Sequence, residues 1–347
     1  MDLSGYVQTV LGPVDPDEIG PTTTHEHLLI DFTMMFKPPT EASEKFKAFA
    51  PVTLNNLGWI RYNPFRNLDN LKLFDESVAI NETLEFKAHG GKTIVDATTM
   101  GIGRDPQALA RISRVTGTNI VMGAGYYVDP VHPQDMNEKS VEEIGEQIVN
   151  EIRYGVGDTG VKAGIIGELG CSWPLTENER KVLLGAAYAQ GNTGAPILIH
   201  PGRNIRSPFE IVDILGEAGA DIGRVIMGHL DRTILDRDVL IEFAQLGTYL
   251  EYDLFGWETS YYPLSEIDIP SDAQRIGFIK NLVDEGYSER IVLAHDVWGK
   301  HSLKTYGGYG LSHILENIVP RILEKGMTEV DVNNMTVANP ARILTFA

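Results

Sequence analysis

One cysteine, Cys171, occurs in 347 residues, so the chain can form no internal disulfide, which fits a reducing compartment; the cytoplasm is the expected location. No run approaches the roughly 20 apolar residues that a membrane helix needs. The first residues, Met1 to Gly5, lack the basic-plus-apolar signature of a secretory leader. Basic residues are also short: 29 Lys and Arg against 48 Asp and Glu leave a formal charge of −19. Such a surface repels phosphate backbones and anionic lipid, so neither nucleic acid nor a membrane is an expected partner. The acids are dispersed rather than gathered in a tail, which marks them as ordinary solvated faces. Repeats at a solenoid period and low-complexity stretches are lacking as well. So is the Gly-x-Gly-x-x-Gly turn of dinucleotide-binding folds: Gly12 stands alone, and the pairs Gly101/Gly103 and Gly123/Gly125 have no third glycine.

What is present is a regular alternation. After a leading segment over residues 1–20 that reads as a small hairpin, eight short apolar runs recur: 22–29, 92–98, 119–127, 163–170, 196–201, 224–231, 248–256 and 290–296. Each is bounded by Gly, Pro or Asp, as strands buried on both faces should be. Between them stand helical patterns, three with capping-box starts: Ser140 with Glu143, Thr176 with Glu179, and Ser207 with Glu210, the last with Pro208 at the first helical position. Eight strands alternating with helices predict an α/β fold, a (β/α)8 TIM barrel, with an open doubly wound sheet as the alternative. One domain over 1–347 is expected, with an insertion over 31–80 in the first βα connection. That insertion lies on the face where barrel active sites are built, so it reads as a lid or pocket wall or as an accessory that merely packs.

The ionisable residues fall where such a barrel builds a site. His25 and His27 lie in the first run, Glu168 ends the fourth, His200 the fifth, His229 the sixth and Asp296 the eighth. Side chains two apart on a strand share a face, so both first-run imidazoles aim inward. Several unpaired imidazoles and carboxylates converging in one buried mouth are costly unless cations compensate them. This donor set suits two divalent ions at the C-terminal ends of the strands, Zn²⁺ first, with Mn²⁺, Fe²⁺ or Co²⁺ as alternatives. His89, His132, His301 and His313 read as surface histidines. His295 alternates away from the site, and Cys171 reads as a bystander.

Thr24-His25-Glu26-His27, Gly164 to Glu168, Ile199-His200-Pro201, Gly228 to Asp231 and Ala294-His295-Asp296 occur in the order of the phosphotriesterase family of the amidohydrolase superfamily, which the sequence resembles across nearly its whole length. Within it, Gly170 to Thr176, His200 to Arg203, His229 to Leu235, Leu250 to Gly256 and Tyr306 to Gly308 resemble the phosphotriesterase-related branch. The resemblance implies that His25, His27 and Asp296 hold the more buried ion, that His200 and His229 hold the more exposed one, and that Glu168 bridges them. It implies attack by a bridging hydroxide, with Asp296 as the proton shuttle. The organophosphate-degrading members bridge their metals with a carboxylated lysine, and Glu168 in its place argues against fast organophosphate hydrolysis. Resemblance to this branch implies hydrolysis of a small N-acyl amide, N-acetyltaurine foremost. The alternatives are a lactonase or esterase with weak phosphotriesterase activity and, last, a binding protein without catalysis. Tyr127 matches a substrate-facing position, and Arg203, with Arg232 second, is a forked donor suited to a sulfonate. A small-molecule substrate is thus the expected partner, and a homodimer stays open as an assembly.

Overall fold

The computed structural model describes residues 3–347; Met1 and Asp2, which begin the expected N-terminal hairpin segment, lie outside the described residues. The strands in chain order are β1 (Val7–Thr9), β2 (Gly12–Val14), β3 (Thr22–Glu26), β4 (Ile30–Asp31), β5 (Lys72–Leu73), β6 (Thr93–Asp96), β7 (Asn119–Ala124), β8 (Ile165–Gly170), β9 (Ile197–His200), β10 (Val225–Met227), β11 (Tyr249–Tyr252) and β12 (Ile291–Leu293). β1 and β2 form an antiparallel hairpin. Eight strands, β3 and β6 to β12, form one parallel sheet with neighbouring pairs in chain order. Its two edges meet where the Asp296 N–H donates to the His25 carbonyl at 3.0 Å, closing the (β/α)8 barrel that the alternation of runs predicts.

The period of two sorts each strand between two cores. Val95, Val121, Ile165, Leu198, Ile226, Tyr249 and Val292 point inward and cluster with Val7 and Ile19 of the N-terminal segment and with Ile343 and Leu344 of the last helix. Their neighbours Ile94, Ile120, Ile166, Ile197, Met227, Leu250 and Leu293 point outward and join the helix layer. Each fully buried aliphatic side chain contributes roughly 1.5–3 kcal/mol. The N-terminal ends of the strands are therefore packed shut, and only the opposite mouth is left for chemistry.

The helix starts divide two to one. Ser140 and Thr176 make the capping boxes expected of them, with Glu143 and Glu179. Ser207 does not: the helix Ser207–Glu217 includes it, and its hydroxyl accepts the Gly202 N–H at 2.9 Å, fastening the loop after β9. Between β3 and the helix Glu76–Ala88 the chain makes the β4–β5 pair and a set of short helical turns, so residues 76–80 of the expected insertion belong to the flanking helix. The insertion packs inward: the Phe65 ring stacks on Trp298 at 4.9 Å and 11°.

The elements beyond β10 and β11 are tied by a buried ion cluster. Arg275, fully buried on the helix Asp272–Asp284, donates from Nε to Asp231 at 2.9 Å and from Nη1 to Asp272 at 2.9 Å. Asp231 also accepts the Leu254 N–H at 3.0 Å. Arg275→Met leaves two carboxylates buried without their cation and is expected to cost about 3–5 kcal/mol, read as a fall in the urea midpoint. An unmoved midpoint would show that the cluster contributes nothing to stability.

Candidate metal centre

Glu168 stands at the middle of the mouth. Its carboxylate lies 2.8 Å from His200 Nδ1, 3.2 Å from His27 Nε2, 3.3 Å from His25 Nε2 and 3.7 Å from His229 Nε2. Asp296 Oδ1 is 3.3 Å from His27 Nε2 and 4.0 Å from His25 Nε2. The six side chains singled out in the sequence thus meet in one basin. Within it, donor atoms of His25, His27 and Asp296 lie within 4.8 Å of one another, and so do those of Glu168, His200 and His229.

Strand alternation alone does not produce this convergence. Ile166 and Leu169 both face the helix layer, and the register of β8 shifts between them. Gly167 makes the shift with φ +122°, so close to β9 that a Cβ there would stand 2.1 Å from the Leu198 carbonyl oxygen. The Glu168 side chain is thereby turned into the barrel. His27 lies one residue past the end of β3, and His229 and Asp296 lie past β10 and β12 with left-handed backbones, φ 54° and 49°. The His229 N–H is held by Asp253 Oδ2 at 2.7 Å, and that of Asp296 by the His25 carbonyl at 3.0 Å.

Behind the imidazoles is an outer layer that the sequence reading missed. Glu251 Oε2 lies 3.0 Å and Asp253 Oδ2 3.3 Å from His25 Nδ1, and Asp253 Oδ1 lies 2.8 Å from His229 Nδ1. Thr98 Oγ1 is 2.9 Å from His27 Nδ1. With Nδ1 occupied, the Nε2 atoms of these three rings face the basin, the arrangement by which outer partners orient metal-binding histidines. A signal existed: Glu251 and Asp253 are two apart in an apolar run, the same spacing that marks His25 and His27.

The basin has the electrostatics of a cation site. Burial disfavours the ionised form of Glu168, but His25 and His200 hold it well below the usual carboxylate range. Burial also disfavours charge on His25, which Glu168 and Glu251 nonetheless raise well above its ordinary value. Against the same penalty, His27 is pushed up to about 9 by Asp296 and Glu168. His200 goes the other way, driven well below its ordinary value by burial and then by His229. Positive charge on His25 and His27 is thus favoured beside these carboxylates, and divalent cations could supply it there. His25 Nε2, sealed from solvent and without a hydrogen-bond partner, is the plainest sign of fit.

The remaining site candidates line the same pocket. Tyr127, Arg203 and Arg232 face it together with Phe32, Phe65, Trp257, Tyr262 and Trp298, and its free room is about 30 Å³. The Tyr127 hydroxyl lies 3.4 Å from His200 Nδ1, and burial pushes the phenol up, so it stays a donor. Arg203 donates from Nε to the Tyr262 hydroxyl at 2.6 Å and, among the described residues, makes no ion pair. Its guanidinium also lies over the Tyr262 ring, 5.8 Å from the ring centre, and among the described residues its Nη groups make no hydrogen bond. Arg232 is more committed, with Nη2 on the Pro201 carbonyl at 3.1 Å and 3.2 Å from His200 Nε2. Burial pushes the Cys171 thiol far up, which agrees with a bystander. His295 turns away to Glu26 at 2.6 Å, as alternation requires.

Three of the four histidines expected at the surface are not there. His313 is buried against Asp272 at 2.8 Å, His301 contacts Asn70 at 3.0 Å, and His132 Nε2 reaches the Tyr127 carbonyl at 2.7 Å. Only His89 is exposed. The three brace mouth loops, a role set by distant partners that local pattern does not reveal. A larger cavity of about 550 Å³ opens on the far side of His27, against the helix Glu76–Ala88. Its carboxylates are already engaged, Asp69 by Lys300, Asp75 by Ser77, Glu76 by Arg111 and Glu82 by Thr305.

A parallel eight-stranded barrel with imidazoles and carboxylates gathered at its mouth is the framework of a metal-dependent hydrolase. Comparison with known proteins agrees: residues 5–344 match the Phosphotriesterase family, to which the chain belongs. It is 50% identical over 346 residues to the N-acetyltaurine hydrolase of Homo sapiens, covering 99% of each chain. A resiniferatoxin-binding protein from Rhodobacter sphaeroides superposes with a TM-score of 0.95 at 37% identity, over 98% of this chain and 95% of that one. A lactonase from Listeria monocytogenes does so with a TM-score of 0.79 at 27% identity, over 99% of both. Among the described residues no helix is long and apolar enough to cross a membrane.

Two variants probe the basin. Glu168→Ala is expected to lower the metal bound per chain, measured by elemental analysis against wild type, and full retention would remove Glu168 from the centre. Asp253→Asn should weaken metal retention about 10- to 100-fold in a chelator competition, because it loosens His229 and His25 without removing a donor. Unchanged competition would assign Asp253 to the fold alone.

Proposed function

We propose that the chain hydrolyses a small N-acyl amide with an anionic tail, N-acetyltaurine foremost, to acetate and taurine. The observation that carries the reading is Arg203, whose Nε is fixed by Tyr262 while, among the described residues, its Nη groups make no hydrogen bond in the pocket they line with Glu168 and Asp296. Identity of 50% to the human N-acetyltaurine hydrolase supports the same substrate. A free room of about 30 Å³, enough for about two waters, favours a short acyl group next to the carboxylates.

His25, His27 and Asp296 would hold one ion and His200 and His229 the other, with Glu168 between them; zinc is the first choice and manganese, iron or cobalt the alternatives. When bound, such ions polarise the scissile carbonyl and make a water acidic enough to attack near neutral pH. The residues supply the rest. Asp296, at the basin's edge, takes a proton from the attacking water and returns it to the departing nitrogen, which cannot leave as an amide anion. Tyr127, its hydroxyl beside His200 in the same pocket, offers that hydroxyl to the substrate. Arg203 binds the sulfonate through its guanidinium fork, with Arg232 beside it. The aromatic walls exclude water from the reacting atoms.

A second reading, a lactonase or esterase with weak phosphotriesterase activity, uses the same basin and Tyr127 and is favoured by the likeness to the Listeria monocytogenes lactonase. Turnover of N-acetyltaurine, a lactone and a phosphotriester on one metal-loaded sample separates the two. For N-acetyltaurine, Arg203→Ala is expected to raise KM about 10- to 100-fold, the worth of a hydrogen bond to a charged group. An unchanged KM would remove the sulfonate role.

A further inference from the structure

A further cavity, of about 250 Å³, adjoins the metal pocket and shares Phe65 and Leu264 with it. It lies between the insertion after β3 and the loop after β11. The stacked rings of Tyr62 and Tyr261, 4.8 Å apart at 16°, bridge the two loops. Lys37 and Arg66 are the charged residues on its walls, and among the described residues no carboxylate lines it. The Lys37 N–H donates to the Phe65 carbonyl at 2.9 Å, which sets both cations beside the residue that separates the outer cavity from the inner one.

Both side chains are exposed, and among the described residues neither makes a hydrogen bond or an ion pair. Glu44, the acid whose charge reaches Arg66, already accepts from Lys47 at 3.2 Å and from Trp59 at 2.9 Å. A chain with a formal charge of −19 therefore carries, at the opening to its site, two free cations outside and two arginines within. Screening over about 8 Å at physiological salt confines the distant acids' influence, so the local cations decide what the mouth attracts. The inner pocket has about 30 Å³ of free room and the outer one about 250 Å³, so the larger space stands on the solvent side of the metal basin.

We propose that Lys37 and Arg66 form an entry subsite that captures small organic anions, sulfonates or carboxylates, and passes them inward to Arg203. This rests on the reading of the substrate as an anionic amide. Charges lining a low-dielectric cleft raise association rates by roughly 10- to 1,000-fold, and the gain disappears with salt. The subsite therefore acts on capture rather than on bond cleavage.

The test uses metal-loaded full chain, wild type against the double variant Lys37→Ala/Arg66→Ala. Steady-state rates are taken across a sodium chloride series with N-acetyltaurine and with its uncharged analogue N-ethylacetamide. In parallel, stopped-flow quenching of the pocket tryptophans Trp257 and Trp298 follows association of ethanesulfonate. The double variant is expected to lose about tenfold in kcat/KM for N-acetyltaurine at low salt, to keep kcat, and to lose most of the salt dependence. Turnover of N-ethylacetamide should not change, and Lys37→Arg/Arg66→Lys should restore capture. The ethanesulfonate association rate should fall by a similar factor with its dissociation rate unchanged. If wild-type protein does not turn over N-acetyltaurine, the substrate reading fails, and the ethanesulfonate rates alone decide the subsite. Equal association rates and equal salt slopes in wild type and double variant, or no ethanesulfonate binding to either, overturn it.

Discussion

Four imidazoles from three strand ends of the barrel approach a single carboxylate, that of Glu168, between 2.8 and 3.7 Å. So many donors cannot share a buried space unless their protons and charges are arranged together, and the surrounding structure reads as that arrangement. Thr98, Glu251 and Asp253 occupy the outward nitrogens of three rings. The register shift in β8 points Glu168 inward, and the same backbone bond that seats Asp296 also closes the sheet. The barrel and the basin are therefore one construction: the last strand cannot open from the first without displacing Asp296.

The division of labour along the barrel axis follows from packing. Aliphatic side chains from alternate positions fill the lower interior down to Val7 and Leu344, leaving no room there for a ligand. Near the mouth the inward positions become His25, Glu251, Asp253 and His200, and the apolar core gives way to a polar one. That change is tolerable because each polar atom has a partner or stands ready for a cation. The aromatic wall contributed by Phe32, Phe65 and Trp298 then separates this polar layer from solvent.

Much of this was legible from residue pattern. Eight short apolar runs correspond to eight barrel strands, and His25, His200 and Asp296 sit on the inward phase of theirs. Glu168 and His229 sit on the outward phase, and only a glycine before each hints at the irregularity that turns them in. The outer carboxylates had the right spacing but no local reason to be paired with particular rings, since those pairings join β11 to β3 and β10. Ser207 shows the converse: its local sequence fits a capping box, but a tertiary bond to Gly202 claims the hydroxyl first. His132, His301 and His313 looked solvated for want of a visible partner, and their partners lie elsewhere in the chain or on the backbone.

The left-handed backbones of His229 and Asp296 carry a cost of their own. A residue with a Cβ loses roughly 1–2 kcal/mol on occupying that region, which glycine enters freely. At these two positions, then, the sequence that would best stabilise the fold differs from the one that builds the basin. Selection for heat resistance alone would drift toward glycine there and empty the mouth of its chemistry, so the presence of histidine and aspartate records a compromise in which part of the fold's stability has been given up to the site.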